Sequence, residues 1–123
     1  MTPPDCPFCR PDPVLENELA YARLDRNPVT PGHLLIIPRR HVEDWFGLDD
    51  AERRAIDELI HRARDWLAES RAPDGYNIGM NCGEAAGQTV FHMHCHLVPR
   101  YSGDSEDPTG GVRGVIPERQ RYD

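Results

Sequence analysis

The stretch Val90-Phe-His-Met-His-Cys-His-Leu-Val-Pro-Arg100 decides how the rest of the chain is read. His92, His94 and His96 alternate with Met93, Cys95 and Leu97, and a strand turns successive side chains to opposite faces. The spacing predicts three imidazoles on one face, roughly 6 to 7 Å apart, with the apolar residues entering a core behind them. Half of the chain's six histidines fall in this short run, so a functional cluster outweighs a merely solvated polar face. Two chemistries use such a row: a three-histidine metal site, or an imidazole that attacks an electrophile while its neighbours hold the charge. Upstream, GEAAGQTV (83–90) has small residues that let backbone amides approach an anion, and Gln88 adds an amide donor. Metal-binding histidines are usually oriented by carboxylates, and Glu84 is the one acid nearby in sequence. The phosphate reading is therefore favoured over the metal-dependent one.

Outward from this strand the chain alternates short extended runs with a single long helix. VLENELAYARLD (14–25) reads as two short strands joined at a polar turn near Asn17. NPVTPG breaks regular structure, and HLLIIP (33–38) is a β-branched, apolar run suited to a buried strand. Asp49 and Glu52 form a capping-box pair ahead of Ala55, Ile56, Leu59, Ile60, Ala63, Trp66 and Leu67 at helical spacing. The opposite helix face, with Glu52, Arg53, Asp57, Glu58, His61 and Arg62, reads as solvated. Pro73 and Gly75 end the helix, and YNIGMN (76–81) is a further strand. With one long helix among these strands, an α+β domain with a mainly antiparallel sheet and the helix on one face is expected. Residues 1–13 form an irregular, proline-rich arm carrying Cys6 and Cys9, and residues 102–123 a polar extension containing the apolar patch VRGVIP.

Composition limits the function. The chain has 123 residues, 38% hydrophobic and 28% charged, and no apolar run of the length a spanning helix needs. Its start lacks the cationic and apolar segments of a secretory signal, so a cytoplasmic location is expected and the four cysteines read as thiols or ligands. The net charge of −7 argues against a nucleic-acid partner, and a membrane partner is not expected either. All 14 basic residues are arginine, which removes Schiff-base chemistry on lysine and the lysine of a P-loop. The pair Cys6-Pro-Phe-Cys9 has the bite of a zinc knuckle, and no strand-then-helix context marks it as a redox dithiol.

HMHCHLV (92–98) resembles the His-x-His-x-His signature of the histidine triad (HIT) family. LDRNPVTPGHLLIIPRRHV and GQTVFHMHCHLVPR are similar to that family's strand-loop-strand and active-site segments, and GGVRGVIPERQRY resembles a bacterial branch of diadenosine polyphosphate hydrolases. The resemblance implies a single HIT domain over 1–123, with a HIT-like α+β fold that includes a short additional helix, and a homodimer. It implies a nucleotide hydrolase in which His94 attacks the α-phosphorus of a small-molecule nucleotide and water cleaves the nucleotidyl-imidazole. His96 would donate to phosphate oxygens, Gln88 to the phosphate or leaving group, and His33 would support the triad that His92 completes. Asp25 would receive the ribose hydroxyls, Asn81 would touch the phosphates, and Phe8 and Leu24 would line the base pocket. A structural zinc would be held by Cys6, Cys9, His41 and His92, with no cofactor required for the chemical step. Dinucleoside polyphosphates are favoured over phosphoramidates because Gln88 stands where a serine would otherwise be. The alternatives are a nucleotide-binding sensor or scaffold without turnover, and a metal-dependent hydrolase.

Overall fold

The computed structural model describes residues 5–122; the first four residues of the expected arm and Asp123 of the expected extension lie outside them. Five strands form one antiparallel sheet: β1 (Leu15–Glu16), β2 (Ala20–Leu24), β3 (Leu34–Pro38), β4 (Gly75–Gly79) and β5 (Cys95–Arg100), in the order β1-β2-β3-β5-β4. Asn17 makes the first turn, its side-chain oxygen accepting from the Ala20 N–H at 2.9 Å. The triad strand is shorter than its alternation suggests and begins at Cys95. Beyond the Ile36↔Cys95 pair β3 ends at Pro38, which has no N–H, and the Met93 N–H bonds the Val42 carbonyl instead. His92 and His94 therefore lie in irregular backbone, where their rings turn in different directions.

The helix α1 (Asp50–Arg71) starts with the expected reciprocal Asp49–Glu52 capping box. Ile56, Leu59, Ala63 and Leu67 pack on Ala20, Ala22, Leu34, Ile36, Cys95 and Leu97 to make the main core. Glu52 departs from the solvated face expected of it: it is buried, and both carboxylate oxygens bind the Arg40 guanidinium, at 2.9 and 2.7 Å. That charge-assisted pair also receives the Asp49 N–H, which is how a carboxylate persists in the core margin. α1 closes at Ala72, held in the left-handed region at φ 48°. The short additional helix is a set of single 3-10 turns, such as Trp45–Gly47.

The opposite face of the sheet is covered by the amino-terminal arm. Cys6 and Phe8 pack with Tyr21, Leu35 and Ile37, and the Tyr21 hydroxyl donates to the Phe8 carbonyl at 2.5 Å. Pairing across the sheet aligns Arg23, Leu35, His96 and Gly79 in one row. This row faces the arm, whereas the next, Leu24-Leu34-Leu97-Ile78, faces the helix side. A gap between arm and sheet is thus built from alternate residues of β2, β3 and β5. The polar extension does not trail free. It forms 3-10 turns at Gly111–Val115 and Pro117–Arg119, and Arg100 joins its first turn to β4 through Asn77, at 2.7 Å, and Asp104.

Candidate active site

A cavity of about 380 Å³ opens between arm and sheet, lined among others by Phe8, Arg23, Asp25, Leu35, Asn81, Thr89, His94 and His96. Its volume suits a small organic ligand. The loop after β2 that carries Asp25 is fixed at both ends. Asp25 accepts from the Asn27 N–H at 2.8 Å, and the Thr30 hydroxyl donates to the Pro99 carbonyl at 2.5 Å. Gly32 completes the loop at φ +90°, where a Cβ would come within 2.7 Å of Arg71 and 2.9 Å of Leu67. Glycine adopts that φ without strain and leaves the Arg71 and Leu67 side chains in place.

Hydrogen-bond logic fixes the protonation of each triad ring. His94 Nδ1 lies 2.9 Å from the His92 carbonyl, which can only accept, so Nδ1 carries the proton and Nε2 keeps its lone pair. His94 lines the cavity, with Phe8 packed edge-on at 4.8 Å between ring centroids. His33 accepts the Val29 N–H at Nδ1 and therefore donates from Nε2 to His96 Nδ1, at 2.9 Å. His96 in turn must carry its proton on Nε2, toward the cavity. Burial lowers the pKa of His33, and burial with the adjacent His94 and His33 lowers that of His96 to about 4. Both are neutral at neutral pH, so the site holds one imidazole lone pair beside one imidazole N–H donor.

His92 belongs to another cluster. It is fully buried, and its Nε2–H donates to the Pro38 carbonyl at 2.8 Å, leaving Nδ1 as a lone pair aimed at the arm. There it meets Cys6 Sγ and Cys9 Sγ, both at 3.4 Å, and His41 Nδ1 at 3.1 Å; Cys9 Sγ is 3.3 Å from His41 Nδ1. Tetrahedral zinc with ordinary Zn–S and Zn–N bonds would set such ligand atoms about 3.3 to 3.8 Å apart. Two thiols and two imidazole nitrogens at nearly that spacing are a donor set that fits zinc. The three triad rings do not converge on a common point, so a metal held by His92, His94 and His96 together has no geometric basis. Asp25, His33 and His96 do lie close to one another, but the facing nitrogens of His33 and His96 share a proton.

Asp25, Asn81, Phe8, His94 and His96 all line the cavity, and His33 bonds His96 from behind. Two expectations are corrected. Gln88 is buried, its NH₂ donating to the Glu43 and Val90 carbonyls and its oxygen accepting the Gly83 N–H. Its amide braces the 83–90 loop, and Thr89 faces the cavity in its place. The N–H groups of Ala86, Gly87 and Gln88 are likewise bonded within that loop rather than offered to an anion. Leu24 is the second correction: strand alternation sends it to the helix side, 42% exposed, and Leu35 supplies the apolar wall. Sequence reading also missed Arg23, Arg26 and Asn27. The signal for Arg23 was its position two residues before Asp25 on the same strand face.

The HIT domain family model matches residues 11–103. The chain belongs to the HIT family. Among curated relatives of this HIT protein is an AP-4-A phosphorylase of Mycobacterium tuberculosis, 36% identical over 111 residues covering 88% of the chain and 56% of the relative. The chain spans 56 to 61% of the length of the first such relatives. A HIT family protein from Bacillus anthracis superposes with TM-score 0.77 at 37% identity, covering 84% of this chain and 78% of the other. A Zn-bound histidine triad family protein from Mycobacterium smegmatis gives TM-score 0.75 at 35% identity, covering 84% and 80%. Among the described residues no helix is long and apolar enough to cross a membrane.

Proposed function

We propose that this HIT protein is a nucleotide hydrolase that cleaves the bond at the α-phosphate through a nucleotidyl intermediate on His94. The observation carrying this reading is the His94 ring, tied through Nδ1–H to the His92 carbonyl with its Nε2 lone pair free beside the His96 N–H. Nε2 attacks the α-phosphorus, a P–N bond forms, and the bond to the leaving group breaks with its electron pair. The positive charge that develops on the ring is stabilised by the His92 carbonyl, and the negative charge on phosphate oxygens by His96 Nε2–H. Water then attacks phosphorus, loses a proton to solvent, and releases a nucleoside monophosphate while His94 regains its lone pair. Asp25, Asn81 and Thr89 line the cavity; in this reading Asp25 accepts ribose hydroxyls and Asn81 and Thr89 donate to phosphate.

A dinucleoside polyphosphate is the favoured substrate class over a phosphoramidate, with diadenosine tetraphosphate as its test compound. Arg26 lines the cavity and makes no hydrogen bond or ion pair among the described residues, so its charge is available to a polyphosphate leaving group and of little use to an amine. Cys6, Cys9, His41 and His92 would hold a structural zinc, which supplies a cross-link and takes no part in the chemical step. Two copies would join through the edge strand β4, where Ile78 is exposed, as are Val112, Val115 and Ile116 of the extension.

The test is product analysis with diadenosine tetraphosphate and adenosine phosphoramidate in parallel, on wild type and His94→Ala. AMP release by wild type is expected, faster from the dinucleotide, with turnover lost in the variant and nucleotide affinity kept within about tenfold. Turnover surviving in His94→Ala would end the assignment. Binding without turnover by wild type would make the protein a sensor. ADP formed only when inorganic phosphate is added would make phosphate, rather than water, the acceptor of the nucleotidyl group.

A further inference from the structure

Resting on the nucleotide reading above, we propose that Arg23 selects the base, reading the acceptor edge of a 6-oxopurine so that guanine and hypoxanthine nucleotides are preferred to adenine nucleotides. Arg23 is only 4% exposed, yet it lines the cavity. Its guanidinium carbon lies 5.8 Å from the centre of the Phe8 ring, and its Nη1 is 3.5 Å from the Pro7 carbonyl, with the Tyr21 hydroxyl beside it. No carboxylate pairs with it among the described residues. Among the described residues no buried side-chain nitrogen or oxygen lacks a hydrogen-bond partner, so the guanidinium donors not taken by Pro7 and Tyr21 open onto the cavity, where a ligand's acceptors can meet them.

Its place in the sheet says which part of a nucleotide does so. Arg23 and His96 share one cross-strand row with Leu35 between them, which puts two strand spacings, roughly 10 Å, between their backbones. With phosphorus at His94 and ribose at Asp25, the base lies against Phe8 and Leu35, and Arg23 meets its edge rather than the phosphates. A guanidinium has donors and no acceptor. Guanine and hypoxanthine present two adjacent acceptors, O6 and N7, whereas adenine presents N7 beside the N6 donor. A well-formed two-point contact of this kind discriminates by about tenfold or more.

The experiment is calorimetric titration of wild type, Arg23→Met and Arg23→Lys with GMP, IMP and AMP, with circular dichroism confirming the fold of each variant. Wild type is expected to bind GMP and IMP about tenfold tighter than AMP, with IMP matching GMP because both share the O6/N7 edge. Arg23→Met should abolish the ratio by weakening GMP and IMP while AMP changes little. Arg23→Lys should also lose it, since a point charge lacks the paired geometry. Equal affinities in wild type overturn the proposal, and so does a ratio that survives in Arg23→Lys, which would indicate a charge effect instead. If Arg23→Met does not fold, the wild-type ratio and the lysine variant decide. Failure of all three monophosphates to bind at millimolar concentration would overturn the nucleotide reading itself.

Discussion

Lowering the pH from about 7 to about 4 tests the neutral imidazole chain. His96 ionises at about 4 instead of 6.5, because burial strips water from the imidazolium and His94 and His33 oppose a further charge, while Asp25 favours it. His33 and His92 are lowered too, with burial the first cause in each. A histidine whose folded pKa lies below its unfolded value binds fewer protons when folded. Its contribution to stability is therefore complete above the unfolded pKa, declines as pH falls, and levels off below the folded pKa. For His96 that window runs from 6.5 down to about 4. A tenfold change in ionisation equilibrium corresponds to about 1.4 kcal/mol, so His96 alone withdraws on the order of 3 kcal/mol across it. Typical domains have about 5 to 15 kcal/mol in total, so the effect is large. Urea unfolding followed by tryptophan fluorescence at several pH values, on wild type and His96→Gln, measures it. The glutamine can still accept the His33 N–H but does not titrate, so the wild-type curve should fall more steeply by about that amount. Parallel curves would refute a neutral, half-buried His96.

Replacing His33 with leucine removes the donor that holds His96 in its tautomer. The expected result is a fall in kcat of about 10²-fold with KM within a few-fold, the pattern of a lost transition-state donor. Nitrogen NMR should then show His96 populating both tautomers, and an unchanged single tautomer would refute the relay. Removal of zinc by chelation should free about one equivalent of metal and weaken nucleotide binding by at least about tenfold, because Phe8 sits between Cys6 and Cys9 and forms a cavity wall. Cys9→Ala should do the same, and metal loss without an effect on binding would separate the arm from the site. Ala72→Gly should raise stability by about 1 kcal/mol, since glycine adopts the left-handed cap without a Cβ penalty; a lower unfolding midpoint would contradict that reading of the helix end.

Much of the fold was legible because local signals agreed. The Asp49–Glu52 box, the apolar periodicity of α1 and the turn at Asn17 all act within a few residues. What periodicity could not show was where a strand yields to a tertiary demand. His92, His94 and His96 alternate without fault, yet the Cys6, Cys9 and His41 side chains at the arm engage His92, and the end of β3 leaves His94 outside the ladder. Gln88 was misread for a related reason. An amide in a glycine-rich loop looks like an anion donor until a carbonyl 45 residues away at Glu43, and one within the loop at Val90, are seen to take it. Arg23 was overlooked because an arginine in a strand reads as a solvated edge, and only the arm folding back over β2 buries it.

Covalent trapping on His94 is the most direct test of the chemistry. Wild type mixed with diadenosine tetraphosphate, quenched within a turnover and digested, should yield one peptide containing His94 that carries an adenylyl group through an acid-labile P–N bond, absent from His94→Ala. Active enzyme that never carries the nucleotidyl group, or carries it on another residue, would contradict nucleophilic attack by this ring.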